Sequence, residues 1–534
     1  MYTMSAMRWH AAALILLTMA VTAHAQTTQP AVSTVERPAI VHFTIDAARD
    51  VHPISPFIYG VNRPCHGVYA NLTLTRLGGN RWTCFNWTNN ASNAGNDYHY
   101  QNDGLLGGGN VPGGAVAGGI ADAERDGAGI ILTIPINGYV SADKSPHGDV
   151  RASGPDYLRT RFRPERPFKN APFTLSPDPR SPVVYQDEFV NWVRSRFPAG
   201  FTDPSRPIFF MLDNEPALWS ATHAQVHPQK VTFQELTDKS IDYARAVKSV
   251  APQTLVFGPA EYGWTGFVTL QHAPDAAAHG NFLDFYLSRM SQAQTQYGRR
   301  LLDVLDVHWY PEARGGKIRI TDRDNSPAVT AARVQAPRSL WDASYVENSW
   351  VSRSVGAIAL LPRLQSEIDR NYPGTLLSIS EYNYGGGDDI SGAIAEADVL
   401  GIFGRENLFA ACEWPNSRSE PFVAAAFALY RNFDGHGASF GDQSIHADTD
   451  DAAGTSVYAG DDNARMVLIA LNKQNRPADA NVTISRWRAW TSAQVYQLTA
   501  ESAAPRLRGR IENANDTRFT YEMPPMSASA IVLR

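Results

Sequence analysis

The stretch "PIFFMLDNEP", residues 207–216, joins an uninterrupted apolar run to an acid, an amide and a second acid. A strand that is buried on both faces reads as such a continuous apolar run, and strands of this kind are typical of parallel sheets. Asp213, Asn214 and Glu215 follow the run directly. We therefore predict a buried parallel strand whose carboxyl end holds polar groups that are suited to chemistry.

Seven further segments have the same form, a short apolar run that ends in polar residues, glycine or proline. They are "PFIYGVN" (56–62), "LTLTRLGGN" (72–80), "GIILTIPIN" (129–137), "TLVFGPAEY" (254–262), "LLDVLDVHWYP" (301–311), "TLLSISEYNYGG" (375–386) and "ENLFAACEWP" (406–415). Segments with a helical spacing of apolar residues lie between most of them, as at 185–197 and 233–250. Eight buried strands that alternate with helices predict an α/β fold, a TIM-like (β/α)8 barrel, which we place at residues 51–438.

The residues after 438 have a different pattern. Short strand candidates such as "ARMVLIALNK" (464–473) and "SASAIVLR" (527–534) are separated by turn residues, and no helix-length period is present. This predicts an all-β sandwich at residues 439–534. Because "AIVHFTID" (39–46) alternates like a half-buried strand, we expect residues 39–50 to supply the first strand of that sandwich. The barrel would then be inserted between the first and later sandwich strands.

The N-terminus has the three parts of a secretory signal peptide. Arg8 precedes the apolar run "AAALILLTMAV" (11–21), and small residues at Ala23 and Ala25 form an A-x-A cleavage site. We predict a signal peptide at 1–25, a flexible lead at 26–38 and a secreted protein, extracellular or periplasmic, with no membrane association after cleavage. The alternative is an uncleaved membrane anchor, for which the run is short.

Composition excludes several classes of protein. The chain has 534 residues and a formal net charge of −6, without the basic stripe that nucleic-acid binding needs. The histidines and three cysteines have no zinc-site spacing. Export permits a disulfide between Cys65 and Cys84, which the sequence does not decide. We expect a monomer that requires no cofactor for its chemistry.

Two glutamates lie at the ends of predicted barrel strands, where the chemistry of such barrels is located. Glu215 ends strand four and Glu381 ends strand seven. Two carboxyl groups that face one cleft are the requirement for glycoside hydrolysis, one as acid and the other as nucleophile or base. The alternative is that both are ordinary surface acids.

Of the aromatic residues near strand ends, Trp219 and Trp414 are the best candidates for platforms under sugar rings.

Four motifs together resemble glycoside hydrolase family 44: "LDNEPALW", "SEYNYGG", "HPISPFIYGVN" and "GNRWTCFNWTNNASNAGND". The resemblance runs from about residue 39 to the C-terminus. It implies a barrel with a β-sandwich, and a secreted retaining endo-β-1,4-glucanase that acts on cellulose-type glucans or xyloglucan. Other readings are a hydrolase of the same mechanism that acts on xylan or mannan, and a non-catalytic carbohydrate-binding protein.

The resemblance also implies roles for individual residues. Glu215 would be the acid/base and Glu381 the nucleophile. A calcium site could use Asp97 and Asp103. At Thr88 this sequence departs from relatives, which often have an acid at that position. The residues expected to bind the β-glucan substrate or support the glutamates are Arg76, Asn214, Trp219, His308, Tyr310, Tyr382 and Trp414.

Overall fold

A computed structural model describes residues 38–63, 69–417, 419–462, 464–511 and 517–534. The predicted signal peptide, nearly all of the flexible lead, and Cys65 lie outside these ranges. Cys84 is described, and its buried sulfur lies 3.8 Å from Nδ1 of His223. Within the described ranges no helix has the length and apolar character needed to cross a bilayer.

Eight parallel strands close into a barrel, in the sequence segments that predicted them. After a first strand outside the barrel, β1 (Ala39–Asp46), the barrel strands are β2 (Gly60–Asn62), β3 (Leu74–Leu77), β4 (Gly129–Ile134), β5 (Ile208–Leu212), β6 (Val256–Tyr262), β7 (Val304–Trp309), β8 (Leu376–Tyr382) and β9 (Ala410–Glu413). Neighbours pair in chain order, and β9 closes the ring by pairing with β2. Their residues are almost all buried, because helices cover the outer face and side chains fill the inside.

Each strand from β3 to β9 is followed by at least one helix of nine or more residues. These helices are α1 (Gly114–Asp126), α2 (Gln186–Arg196), α3 (Phe233–Val250), α4 (Phe282–Tyr297), α5 (Pro327–Gln335), α6 (Leu360–Asn371), α7 (Ile390–Arg405) and α8 (Pro421–Arg431). The alternation confirms the predicted (β/α)8 class. The connections after the strands also contain short helices and 3-10 turns, at Pro56–Ile58, Asn80–Thr83, Gly95–Tyr98, Val150–Ser153, Tyr157–Arg161, Pro198–Phe201, Pro216–Leu218, Trp219–Thr222, Gly263–Thr269, Ala276–His279, Ala336–Leu340 and Trp350–Val355.

The C-terminal part is all-β. Its strands are β10 (Gln443–Thr449), β11 (Thr455–Asp461), β12 (Met466–Asn472), β13 (Ala478–Ser485), β14 (Ala493–Thr499), β15 (Ser502–Arg510), β16 (Arg518–Met523) and β17 (Ser527–Leu533). Additional short strands lie at His52–Pro53, Ser92–Asn93, Asn102–Asp103, Tyr139–Ser141, Phe162–Arg166, Val184–Tyr185, Arg314–Gly315 and Ile318–Arg319.

Strand β1 joins this C-terminal part. It pairs in parallel with β13 over its full length and antiparallel with the second half of β10, whose first half pairs with β11. β10 therefore links two sheets, β15-β14-β17-β12-β11-β10 and β10-β1-β13-β16. Apolar residues of both sheets form one core between them, including Val41 and Phe43 on one side and Leu468 on the other. This is the face-to-face packing of a sandwich.

β12 and β17 are buried on both faces. This burial shows that the sandwich packs closely against the barrel. Leu468 of β12 faces the sandwich core, whereas its neighbours Val467 and Ile469 belong to the core that contains the barrel helices. Residues from 38 onward accordingly form one compact unit. The boundaries 39–50, 51–438 and 439–534 remain our proposal for its two domains.

A buried ion pair spans the contact between barrel and sandwich. Lys473, at the end of β12, lies with its Nζ 3.3 Å from Oδ2 of Asp398 on α7, and both side chains are 1% exposed. The hydroxyl of Tyr458 donates to the other oxygen of Asp398 at 2.7 Å. A single carboxylate thus has two partners from the sandwich.

Replacing Asp398 with alanine is expected to lower the free energy of unfolding by about 3–5 kcal/mol, because it leaves the Lys473 ammonium buried without a counter-charge. Chemical denaturation of the two proteins measures the difference. Asp156→Ala is the control, since the Asp156–Arg159 pair is largely exposed and should contribute little. A midpoint for Asp398→Ala equal to that of the control would contradict this account of the interface.

Candidate active site

Each member of the Asp213-Asn214-Glu215 sequence has a separate function at the end of β5. Asp213 is buried and fixes the turn. One of its carboxylate oxygens accepts hydrogen bonds from the Thr83 hydroxyl at 2.7 Å and its own neighbour's backbone N–H at 2.8 Å, and the other accepts from the N–H of Ile136 at 2.7 Å. Asp213 and Glu215 both have positive φ angles, 62° and 47°. Such backbone is costly for non-glycine residues and needs surrounding contacts to hold it.

Asn214 connects β5 to Arg76 on β3. Its side-chain oxygen accepts hydrogen bonds from Nη2 of Arg76 at 2.7 Å and from the backbone N–H of Gly79 at 3.0 Å. Nη1 of the same fully buried arginine donates to Oε1 of Glu381 at 2.5 Å. One guanidinium thus fixes the ends of β5 and β8, the fourth and seventh barrel strands, relative to each other through charge-assisted bonds.

Glu381 has a second donor on its other oxygen. The hydroxyl of Tyr310 donates to Oε2 at 2.9 Å, and the side chain is only 6% exposed. A guanidinium and a hydroxyl therefore orient this carboxylate and supply its counter-charge. This is the environment that a nucleophilic carboxylate requires.

Glu215 has a different environment. Burial, the largest influence, raises the pKa of Glu215 to about 7, the charge of Arg76 opposes the rise and that of Asp97 adds to it. Its side chain is still 13% exposed, so it can reach a ligand in the cleft. A carboxyl group that holds its proton near neutral pH is suited to general acid catalysis.

His308, at the end of β7, lies between the two glutamates. Its Nδ1 is 2.9 Å from Oε1 of Glu215 and 3.5 Å from Oε2 of Glu381. Burial lowers the pKa of His308 to about 3, so the ring is neutral and the contact with Glu215 is a hydrogen bond, not an ion pair. One carboxylate oxygen of each glutamate and the ring nitrogen lie within 4.8 Å of one another.

Trp414 follows β9 directly and is the one predicted platform that remains partly exposed. Its ring lies over Gly79, whose φ is 92°, and a Cβ built on that residue would be 2.8 Å from the ring. Only glycine permits both this backbone angle and this close approach. Both residues line a cavity of about 530 Å³ that also includes Trp82, Leu106 and Asp97.

Two predicted substrate contacts are wrong. Trp219 is completely buried, and its Nε1 lies 3.4 Å from Asp213, so the ring supports the turn from behind. Tyr382 is also completely buried, with its hydroxyl donating to Glu396 on α7 at 2.8 Å. Because side chains alternate along a strand, the residue after Glu381 must face the helices instead of the cleft.

The pair Asp97 and Asp103 does not fit the predicted calcium site. Both oxygens of Asp103 accept from Nη1 of Arg81, at 2.6 and 2.7 Å. Although burial acts in the opposite direction, these bonds leave the pKa of Asp103 below its ordinary value. Asp97 is exposed and accepts from Asn80 at 2.8 Å. A guanidinium already neutralises Asp103, and Ca²⁺ takes six to eight oxygen ligands.

Two residues of the site were not predicted. Asn62, at the end of β2, accepts from Nη1 of Arg76 at 3.2 Å and donates to the carbonyl of Ser380 at 2.8 Å. Its position at a strand end was the available signal. Glu261, at the end of β6, is buried, and burial together with the charge of Glu215 holds its pKa well above the ordinary value. The signal for this acid was the one that identified Glu215 and Glu381, a position at the end of an apolar run.

Comparison with known proteins places this arrangement in a family. The sequence model of Glycoside hydrolase family 44 matches residues 91–313. The chain is 43% identical over 512 residues to Endoglucanase A of Paenibacillus lautus, covering 92% of this chain and 72% of the relative. It is 37% identical to the Beta-mannanase/endoglucanase A of Caldicellulosiruptor saccharolyticus, spanning 91% of this chain but 38% of that longer protein.

A solved structure supports the same assignment. The family 44 xyloglucanase of Paenibacillus polymyxa, determined with xyloglucan, superposes with a TM-score of 0.89 at 39% identity, and the match covers 92% of this chain and 99% of that one. The likeness thus covers nearly the whole length of both chains. The chain therefore belongs to glycoside hydrolase family 44.

Proposed function

We propose that this protein is a secreted retaining endo-β-1,4-glucanase that cleaves internal bonds of cellulose-type glucans, xyloglucan or both. The observation that carries the proposal is the short separation of two unlike carboxyl groups. Oxygens of Glu215 and Glu381 lie within 4.8 Å of each other. Retaining enzymes hold their carboxyl groups about 5–5.5 Å apart, whereas inverting enzymes need about 6.5–9.5 Å to admit a water molecule between carboxylate and sugar.

In the first step, the Glu381 carboxylate attacks the anomeric carbon. As the glycosidic bond breaks, Glu215 gives its proton to the leaving oxygen. The electron pair of the broken bond remains on that oxygen, and a glycosyl ester of Glu381 forms. Arg76 and Tyr310 hold the attacking carboxylate, with donor distances of 2.5 and 2.9 Å. Holding the nucleophile in place reduces the entropic part of the barrier.

In the second step, Glu215 changes from acid to base. Once Glu381 is an uncharged ester, the positive charge of Arg76 has no counter-charge at that position. Arg76 already acts to lower the pKa of Glu215, and its effect grows when the opposing negative charge is removed. Glu215 then takes a proton from a water molecule, whose oxygen attacks the anomeric carbon and breaks the ester bond. Two inversions give net retention.

The stereochemistry is tested by proton NMR of freshly released reducing sugar. We expect the β anomer to appear first and the α anomer only later, through mutarotation, because the product keeps the configuration of the substrate. A boiled-enzyme sample with added glucan oligomers gives the reference for mutarotation. A first signal from the α anomer would overturn the retaining assignment.

The preferred backbone requires an assay panel. Trp414 is the proposed platform for a sugar ring, and such platforms accept several β-1,4-linked pyranoses. Mannan or xylan is therefore the alternative substrate, and relatives named for glucanase and mannanase activity make the comparison necessary. Purified protein should release reducing ends fastest from carboxymethyl cellulose or xyloglucan. Faster release from xylan or mannan would favour the alternative, and no release from any polymer would favour a binding protein.

Secretion and oligomeric state belong to the same proposal. The signal sequence at 1–25 supports export. The catalytic pair is assembled within one chain, which is consistent with a monomer. Mass spectrometry of protein expressed with its leader should find Gln26 at the N-terminus, and light scattering should give a single-chain mass. An intact leader or a larger particle would contradict these two assignments.

A further inference from the structure

Glu215, His308 and Glu381 offer a mixed set of nitrogen and oxygen donors in a very small volume. The Nδ1 atom of His308 is 2.9 Å from one oxygen of Glu215 and 3.5 Å from one oxygen of Glu381. All three donor atoms lie within 4.8 Å of one another. Around a zinc ion with bonds of about 2.0–2.2 Å, tetrahedral ligand atoms are separated by roughly 3.4 Å.

The histidine is suited to coordinate an ion. Nδ1 of the buried ring faces both glutamates, and it can offer its lone pair in the tautomer that has hydrogen on Nε2. Among the described residues Nε2 has no hydrogen-bond partner, so either ring nitrogen can hold the hydrogen without breaking a bond at Nε2. On Glu381, Oε2 accepts one hydrogen bond, from Tyr310, and a carboxylate oxygen has a second lone pair.

We propose that these three residues form a binding site for one transition-metal dication of the Zn²⁺ class, and that an ion bound there blocks hydrolysis by engaging both catalytic carboxylates. One imidazole and two carboxylates suit Zn²⁺ or Cu²⁺, whereas Ca²⁺ and Mg²⁺ prefer sites made of oxygen alone. The inhibitory effect rests on the proposed catalytic function. The binding itself does not, so the two can fail separately.

Binding is tested by calorimetric titration of the full chain with ZnCl₂. We expect one tight ion per wild-type chain, and affinity lower by more than about tenfold in Glu215→Gln and in His308→Asn, because each replaces a carboxylate or imidazole ligand with a neutral amide. Since His308 is buried, thermal melting without metal first establishes that its variant is folded. Glu215 is only partly buried, so the zinc affinity of Glu215→Gln tests the site with a smaller risk of unfolding.

His42→Asn is the matched control. His42 is an exposed histidine on β1, with its Nδ1 2.7 Å from Asp450, and it represents adventitious surface binding. This variant should keep the wild-type affinity. Loss of the tight ion in His42→Asn, or an affinity unchanged in both Glu215→Gln and His308→Asn, would overturn the proposed site.

Inhibition is measured separately on a soluble β-1,4-glucan. We expect ZnCl₂ to raise the apparent KM at unchanged kcat, since ion and substrate compete for the same carboxylates, and we expect a chelator to restore the original rate. MgCl₂ at the same concentration should have no effect. Zinc that lowers kcat at unchanged KM would contradict inhibition at this site, even if the titration finds one ion.

Discussion

Glu381→Gln is expected to lower kcat on soluble glucan by on the order of 10⁴–10⁶, the loss seen when a residue that acts as part of a catalytic unit is removed. The amide keeps the size of the side chain and an oxygen for Arg76, but it has no carboxylate to attack the anomeric carbon. Steady-state rates on carboxymethyl cellulose measure the effect. Glu501→Gln is the control, because Glu501 is 80% exposed on the sandwich.

The nucleophile assignment also has a chemical test. Glu381→Ala leaves room on the face from which the carboxylate attacks, so added azide should react there and give a glycosyl azide of α configuration from a substrate with a good leaving group. Azide added to Glu215→Ala should instead enter in the second step and give the β product. If Glu381→Ala gave the β azide and Glu215→Ala gave the α azide, the roles of the two glutamates would be reversed. Melting curves must first show that each variant is folded, because removing Glu381 leaves Arg76 buried without its partner.

Glu215→Gln is expected to lower the rate on polymer by about 10²–10⁴, the usual contribution of a positioned general acid. Glutamine cannot give a proton to the departing sugar oxygen. Aryl glycosides whose leaving group needs no proton should lose much less in the first step. A variant that cleaves polymer at close to the wild-type rate would exclude Glu215 as the acid.

The pH profile gives an independent reading of the same residue. The acid acts in its protonated form, and the pKa of Glu215 is raised to about 7. The wild-type rate on polymer should therefore fall as the pH rises through about 7. This alkaline decline should be absent from the residual activity of Glu215→Gln, which has no proton to lose there. The same decline in both proteins would assign it to another group.

Much of this architecture could be predicted from local sequence. The eight apolar runs correspond to the eight barrel strands, since a strand buried on both faces must be apolar throughout, and β1 pairs within the sandwich. Both glutamates follow such runs directly, which places them at the carboxyl ends of strands. The supporting positions of Arg76 and Tyr310 came from the family resemblance, and both contact Glu381.

Side-chain direction was harder to predict. Trp219 and Tyr382 lie close in sequence to the two proposed catalytic glutamates, yet both are buried away from the cleft. Trp219 follows a turn with left-handed residues, which redirects the chain in a way that composition does not reveal. His308 lies beside Glu381 across a shift of register, because β8 passes over Ser380 while β7 continues from Val307 to His308.

The sequence by itself determined the strands, their order and the two acids at their ends, because burial and strand length act on consecutive residues. Only the tertiary structure decided that Asn214 on β5, Arg76 on β3 and Glu381 on β8 form one hydrogen-bonded chain. It also decided that Arg81 donates to both oxygens of Asp103. The physical reason is that these contacts join residues far apart in the chain. Irregular backbone at Asp213, Glu215 and Ser380 also sets the direction of the side chains that follow.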